Sequence, residues 1–331
     1  MRYASQRRSA GAFVWPIACA VAFLIASLPA HHASAATGDL RVMSFNIRTA
    51  NAANDGVNDW DGNRKNLVEQ TIRNYAPDLV GLQEDLERQH NFLANEFPGF
   101  ELVGRGVNGA DDGEYVSLMY RRSRFDELRR GHFWLSETPN EVASKSWESS
   151  QPRMVTWLEL RDKQLPSYTF VIMNTHWDHV SSEARVESAT LMRQKIRELS
   201  FRIPVIVTGD FNADQGGAAY DRMRGIDNFD TVRNLQDTYR NIHPGDAGTV
   251  GTAHGFDGRA GDGRIDWILH DNDFTTIDAN IDRTSFDGLY PSDHFPINAI
   301  IRPVPEPSTA AFAVAGAAIL LLRRTRRHAM R

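Results

Sequence analysis

The chain is predicted to fold as an α/β domain in which two β-sheets pack face to face with helices on their outer sides. Short apolar, β-branched runs recur between residues 40 and 302, each about the length of one strand. Two longer segments between them carry apolar residues at helical spacing. No repeat or low-complexity linker interrupts the stretch, so it has one core to build. Pattern alone does not separate this layout from other α/β arrangements.

In chain order, residues 40–47 form the first strand-like run. Residues 64–75 follow with Leu67, Val68, Ile72 and Tyr75 on one helical face, and Pro77 stands just past their end. Strands are expected at 79–82, 115–120, 154–160 and 169–173. Residues 183–201 place Val186, Ala189, Leu191 and Ile196 on a helical period before Pro204 opens a strand at 204–207. Runs at 264–269 and 297–301 complete the series.

The two ends read as addresses rather than fold. Residues 1–35 join Arg2, Arg7 and Arg8 to an apolar run and then to Ala33-Ser34-Ala35, the order of a secretory signal peptide cleaved before Ala36. A retained anchor is the alternative. Residues 304–331 contain Pro305-Glu306-Pro307, thirteen residues from Ala310 to Leu322 that are almost all apolar, and Arg323, Arg324, Arg326 and Arg327. Thirteen is short of the about 20 that span a bilayer, and the arginines would hold their end on the cytoplasmic side. This tail resembles a PEP-CTERM sorting signal, which implies the export machinery and an exosortase as partners and a Gram-negative envelope or matrix as destination. A plain C-terminal membrane anchor is the other reading. Either way the body, residues 36–303, is expected outside the cytoplasm.

That body holds 29 basic and 41 acidic residues, a net charge of −12. Such a balance argues against tight non-specific binding to a long nucleic acid, which relies on basic patches. The only cysteine, Cys19, falls in the signal segment, so the mature chain has no disulfide, no thiol nucleophile and no cysteine-ligated zinc. Stability must come from the core, and a monomer is expected.

Polar residues gather where strands end: Asn46, Glu84, His176, Asp178, Asp210, Asn212, and Asp293 with His294. Residues two apart in extended chain face one side, which would pair Asp210 with Asn212 and His176 with Asp178. A single such residue usually serves a turn. Asp266, inside an apolar strand, is different, because a buried carboxylate costs several kcal/mol unless it is paired.

Taken together, Phe45-Asn46-Ile47-Arg48, Leu82-Gln83-Glu84, Asn174 to His179, Gly209-Asp210-Phe211-Asn212-Ala213, Arg264-Ile265-Asp266 and Ser292-Asp293-His294-Phe295-Pro296 resemble the motif series of the endonuclease/exonuclease/phosphatase superfamily, in its order. The resemblance spans nearly all of residues 40–302 and implies a DNase I-like four-layer α/β sandwich. It implies a hydrolase of phosphate esters using Mg²⁺, with Mn²⁺ as a substitute. A hard divalent cation takes oxygen ligands. Glu84, with Asn46 and Asp293, would hold it. Asp210 would position or deprotonate the attacking water, with Asn212 beside it. His294, oriented by Asp266, would hydrogen-bond a phosphoryl oxygen. His176 would serve the leaving group or the phosphate. Arg153, Glu114 and Asp178 are weaker candidates for substrate contact. Asp178 and His179 also suit a turn, and Arg153 also suits a surface salt bridge.

Most relatives attack nucleic acids, so a nuclease or phosphodiesterase is the first expectation. The acidic body favours a small phosphorylated metabolite, a sugar phosphate or a phospholipid head group instead. Trp177, Trp267 and Phe295 could stack on a base, but their apolar neighbours favour packing. A non-catalytic envelope or matrix-binding protein is the alternative of another class. The intact Glu84, Asp210, Asn212, Asp266, Asp293 and His294 argue against it.

Overall fold

The computed structural model describes residues 38–52, 55–229, 233–246, 250–261 and 263–304. The expected signal peptide and the sorting tail beyond Val304 lie outside them. No helix among the described residues is long and apolar enough to cross a membrane.

Among the described residues, twelve strands form two six-stranded sheets. The first runs in the order β11 (Phe274–Ile281), β12 (Ile297–Pro303), β1 (Leu40–Asn46), β2 (Leu79–Gln83), β4 (Leu118–Arg121) and β3 (Phe100–Val103). The second runs β5 (Phe125–Trp134), β6 (Met154–Asp162), β7 (Thr169–His176), β8 (Val205–Asp210), β10 (Asp266–His270) and β9 (Gln236–Asp237). Each sheet has one parallel pair near its middle, β1 with β2 and β7 with β8. Parallel neighbours need a long crossover, and the two predicted helices supply it. They are α1 (Lys65–Tyr75) and α3 (Ser182–Leu199). Shorter helices α2 (Glu87–Glu96), α4 (Ala218–Arg224) and α5 (Thr238–Ile242) complete the outer layers.

Period-two alternation sorts each strand into two packing layers. Leu40 and Val42 of β1 meet Leu158, Ile172, Ile206 and Ile268 of the other sheet in the central core. Met43, Phe45 and Ile47 face the other way, onto Val68 and Ile72 of α1 and Leu93 of α2. On the far side, Val205, Val207, Trp267 and Leu269 pack beneath Ala189, Met192 and Ile196 of α3. Trp177, Phe211 and Trp267 are fully buried and packed ring against ring, with Phe211 and Trp267 stacked at 4.2 Å.

At one end of the central core the apolar filling gives way to polar residues. Gln83 Nε2 donates to Asn174 Oδ1 at 2.7 Å, and Asn174 Nδ2 donates to the carbonyls of Leu82 and Ser117. The Gly209 N–H donates to Ser44 Oγ across the sheets at 3.0 Å. Gly81 allows this close approach, since a Cβ there would overlap Thr208 Oγ1 and Asn174 Oδ1. These bonds satisfy groups that burial would otherwise penalise, and they form the floor of the site above.

Candidate active site

Strand register builds the centre of the site. Asn46, His176, Asp210 and Asp266 all continue the inward parity of their strands. The parallel pairing of β7 with β8 sets His176 beside Asp210, and the antiparallel pairing of β8 with β10 sets Asp266 on its other side. Three chemically active side chains therefore stand in a row across the second sheet. Asn46 meets them from the first sheet, its Nδ2 donating to Asp210 Oδ2 and to Glu84 Oε1, both at 2.9 Å. Its Oδ1 accepts the Arg48 N–H, so in this arrangement the amide bridges two carboxylates and its oxygen is already engaged.

Loops bring the remaining groups. The segment between β11 and β12 delivers Asp293 and His294, fastened by Ser292 Oγ, which donates to the Asn46 carbonyl at 2.7 Å. The N–H groups of His254 and Gly255 hold the Asp293 carbonyl from the other side. His294 Nδ1 lies 2.9 Å from Asp266 Oδ2 and 3.8 Å from Asp210 Oδ2. Burial disfavours a charged ring, but the carboxylates of Asp266 and Asp210 outweigh it and hold His294 well above the ordinary histidine value. That shift favours the protonated ring, with Nδ1–H directed to Asp266.

Asp210 is pushed up to about 7, first by burial and then by the charge of Asp266, against the pull of His294 and the hydrogen bond from Asn46. Its Oδ1 accepts the Asn212 N–H at 2.9 Å. Asn212 holds a left-handed φ of 46° and donates Nδ2 to the Trp177 carbonyl. Glu84 and Arg48 also hold positive φ, 65° and 58°. Such angles are strained for non-glycine residues and cluster at functional sites. Burial opposes the charge on Glu84, but hydrogen bonds from Asn46 and the Thr49 N–H, with the positive charges of His294 and Arg48, lower its pKa below the usual glutamate value.

His176 is buried, and burial together with the Arg153 charge keeps its pKa well below the ordinary value. Its Nε2 is 3.7 Å from Asp210 Oδ2, and its Nδ1 is 3.8 Å from Glu114 Oε2. Glu114 is pushed up to about 7, chiefly by burial and next by the charge of Glu84. Arg153, also buried, places one guanidinium nitrogen 3.7 Å from Glu114 Oε2 and another 3.1 Å from His179 Nδ1.

The structure thus brings together Asn46, Glu84, His176, Asp210, Asn212, Asp266, Asp293 and His294, with Glu114 and Arg153 along one wall. Asp178 is placed differently. One oxygen accepts from Ser149 Oγ, Ser150 N and Ser150 Oγ, and the other accepts from the N–H groups of Val180 and Ser181. It fastens the turn after β7 to the loop before β6, the turn role its position also suited.

Two residues escaped the sequence reading. Arg48, quoted only as part of a motif, lies 3.1 Å from Asp293 and 3.4 Å from Asp55. Arg64 looks like a surface residue at a helix start, yet it is 1% exposed and donates to the carbonyls of Ile47, Arg48, Thr49 and Asn58. It clamps the segment that carries Arg48. Nothing in a linear sequence marks an arginine for that role.

The donor set fits a divalent cation. Ligand atoms of Glu84, His176 and Asp210 lie within 4.8 Å of one another, and so do those of Asp210, Asp266 and His294. His294 is committed to Asp266 as a donor, which leaves Glu84 with Asp210 as the better start of a site. Asp293 is also raised by burial, as expected of a carboxylate cluster built around a positive charge. Carboxylate oxygens are the donors that Mg²⁺ and Mn²⁺ take.

Comparison with known proteins agrees with this geometry. The model of the Endonuclease/Exonuclease/phosphatase family matches residues 43–294. The mannosyl-6-phosphatase Bt3783 of Bacteroides thetaiotaomicron is 31% identical, with 79% of this chain and 99% of that one covered and a TM-score of 0.70. A family protein from Bacteroides vulgatus is 32% identical, covering 80% and 99%, with a TM-score of 0.72. An uncharacterised protein of Acanthamoeba polyphaga mimivirus is 25% identical over 257 residues. The match takes in 66% of this chain and spans about a third, 36%, of that relative's length. Members of the matched family hydrolyse phosphate esters and generally use divalent metal ions. By its family model, its two-sheet fold and its assembled motifs, the chain belongs to the endonuclease/exonuclease/phosphatase family of phosphoester hydrolases.

Proposed function

We propose that this protein is a Mg²⁺-dependent phosphatase of small phosphorylated sugars. The observation that carries the reading is the 31% identity to a mannosyl-6-phosphatase across nearly that protein's whole length. Two features support it. The body carries a net charge of −12, and Trp177, Trp267 and Phe295 are buried in packing and offer no face to a base.

In this mechanism Mg²⁺, when bound by Glu84 and Asp210 with Asp293 nearby, supplies charge stabilisation for the phosphoryl oxygens and the leaving group. The chain's own groups do the rest. Asp210 accepts the proton of the attacking water as general base. Asn212 fixes Asp210 through its N–H. His294, its Nδ1–H committed to Asp266, donates Nε2–H to a phosphoryl oxygen as charge develops there. His176 stays neutral and hydrogen-bonds the leaving oxygen.

The purified protein should hydrolyse mannose 6-phosphate in Mg²⁺ and lose turnover in EDTA. Asp210→Asn should cut kcat by about 10²–10⁴-fold, the range for a removed general base. A wild-type enzyme that cleaves single-stranded DNA or bis-p-nitrophenyl phosphate but no sugar phosphate would establish the nuclease-type phosphodiesterase reading instead. The terminal segments support export as a signal-peptide substrate, with the body delivered to the envelope or matrix. The mature N-terminus, read by mass spectrometry on protein from the native host, should be Ala36.

A further inference from the structure

We propose that His179 and Arg153 form a subsite for the hydroxyl groups of the sugar, on the leaving-group side of the scissile ester. This rests on the sugar-phosphatase reading and names its specificity determinant.

The position of His179 is fixed from both neighbouring segments. Asp178, buried before it, ties the turn to Ser149 and Ser150. Ser181 Oγ donates to the Trp147 carbonyl, and Arg185 donates to the Asp178 carbonyl at 2.9 Å. The turn that carries His179 and the segment leading to Arg153 therefore form one unit. Asp178 and Ser181 are spent on that construction, while the His179 ring stays exposed.

The contact between the pair also sets the chemistry of the exposed ring. A guanidinium has donors and no acceptor. With an Arg153 nitrogen 3.1 Å from His179 Nδ1, that nitrogen accepts, which leaves Nε2 as the ring's donor. Among the described residues no hydrogen bond engages Nε2. The exposed ring offers a fixed donor.

From His179 a line of polar groups leads inward to the reacting centre. Arg153 is followed by Glu114 at 3.7 Å, His176 at 3.8 Å and Asp210 at 3.7 Å. Each gap is too long for a direct hydrogen bond, so none of these groups is satisfied by the next. Arg153 Nε and His176 Nδ1 are buried without a partner. A small cavity with apolar walls from Val107, Val116 and Met154 lies beside them. Neighbouring sugar hydroxyls each donate and accept. A wall offering an imidazole N–H, a guanidinium and a carboxylate matches that alternation.

The test uses the full chain with Mg²⁺ and two substrates, mannose 6-phosphate and p-nitrophenyl phosphate, whose leaving group has no sugar hydroxyls. His179→Phe keeps a ring and removes the donor. The ratio of kcat/KM for the sugar phosphate to that for the aryl phosphate should fall about tenfold, the loss of one hydrogen bond, and should fall through KM. His179→Gln, which restores an N–H donor, should recover part of it. An unchanged ratio in His179→Phe overturns the proposal, whether both activities hold or both fall together. If the wild type hydrolyses the aryl ester and no hexose phosphate, the sugar-phosphatase reading fails, and this subsite fails with it.

Discussion

Asp178 and Asp210 are both buried acids at the ends of neighbouring strands, and their partners separate them. Burial opposes the charge on Asp178, but hydrogen bonds from Ser150 Oγ and from the N–H groups of Ser181, Val180 and Ser150 hold its carboxyl well below the usual aspartate range. Asp210 has a neighbouring carboxylate and rises instead. The contrast predicts a pH signature. Asp178 has a lowered folded pKa, so its stabilisation is full above the unfolded value of about 3.9 and is lost as pH falls through the folded value. Asp178→Asn should therefore cost about 2–3 kcal/mol near neutral pH. In urea melts the gap from wild type should close progressively below about pH 4 and stay constant above it. At this scale the sequence could mark Asp178 as a strand-end acid; it could not say which oxygens would be taken, because Ser149 and Ser150 lie far from it in the chain.

Among elements, the central strands were legible and the outer ones were not. The four unpredicted strands, β3, β5, β9 and β11, are the edges of the two sheets. An edge strand meets solvent on one side and carries charge there. β5 places Arg129 and Arg130 in exposed positions, and β11 reads as Phe-Thr-Thr-Ile-Asp-Ala-Asn-Ile, so neither shows an apolar run. The run at 115–120 became a strand only from Leu118, because Tyr115 turns aside to bridge Asp85. Gly81 tests how closely β2 must approach the second sheet. Gly81→Ala should destabilise by about 1–3 kcal/mol through overpacking, with a matching drop in the urea midpoint and no change in its slope. A neutral substitution would mean that the polar floor is looser than these contacts imply.

At the scale of the molecule, the carboxylate cluster couples metal binding to stability. A cation that binds only the folded state at 100 times its Kd adds about 2.7 kcal/mol. For a body spanning residues 36–303 that amounts to a rise in Tm of several degrees, at about 2 °C per kcal/mol, the low end of the range for large domains. Mg²⁺ should raise the Tm of the wild type over its value in EDTA, and Glu84→Gln should abolish the difference. An equal shift in both proteins would place the cation elsewhere. The sequence by itself determined the family, the central strands, the two crossover helices and most of the chemical groups. These are local patterns, set by the period of a strand or helix and by short motifs. Only the tertiary structure decided that Asp210 stands between His176 and Asp266, that Asn46 bridges two carboxylates from the opposite sheet, and that Arg64 holds the segment carrying Arg48. Those relations depend on strand register and on contacts between distant segments, which arise only when the two sheets close on each other and exclude water.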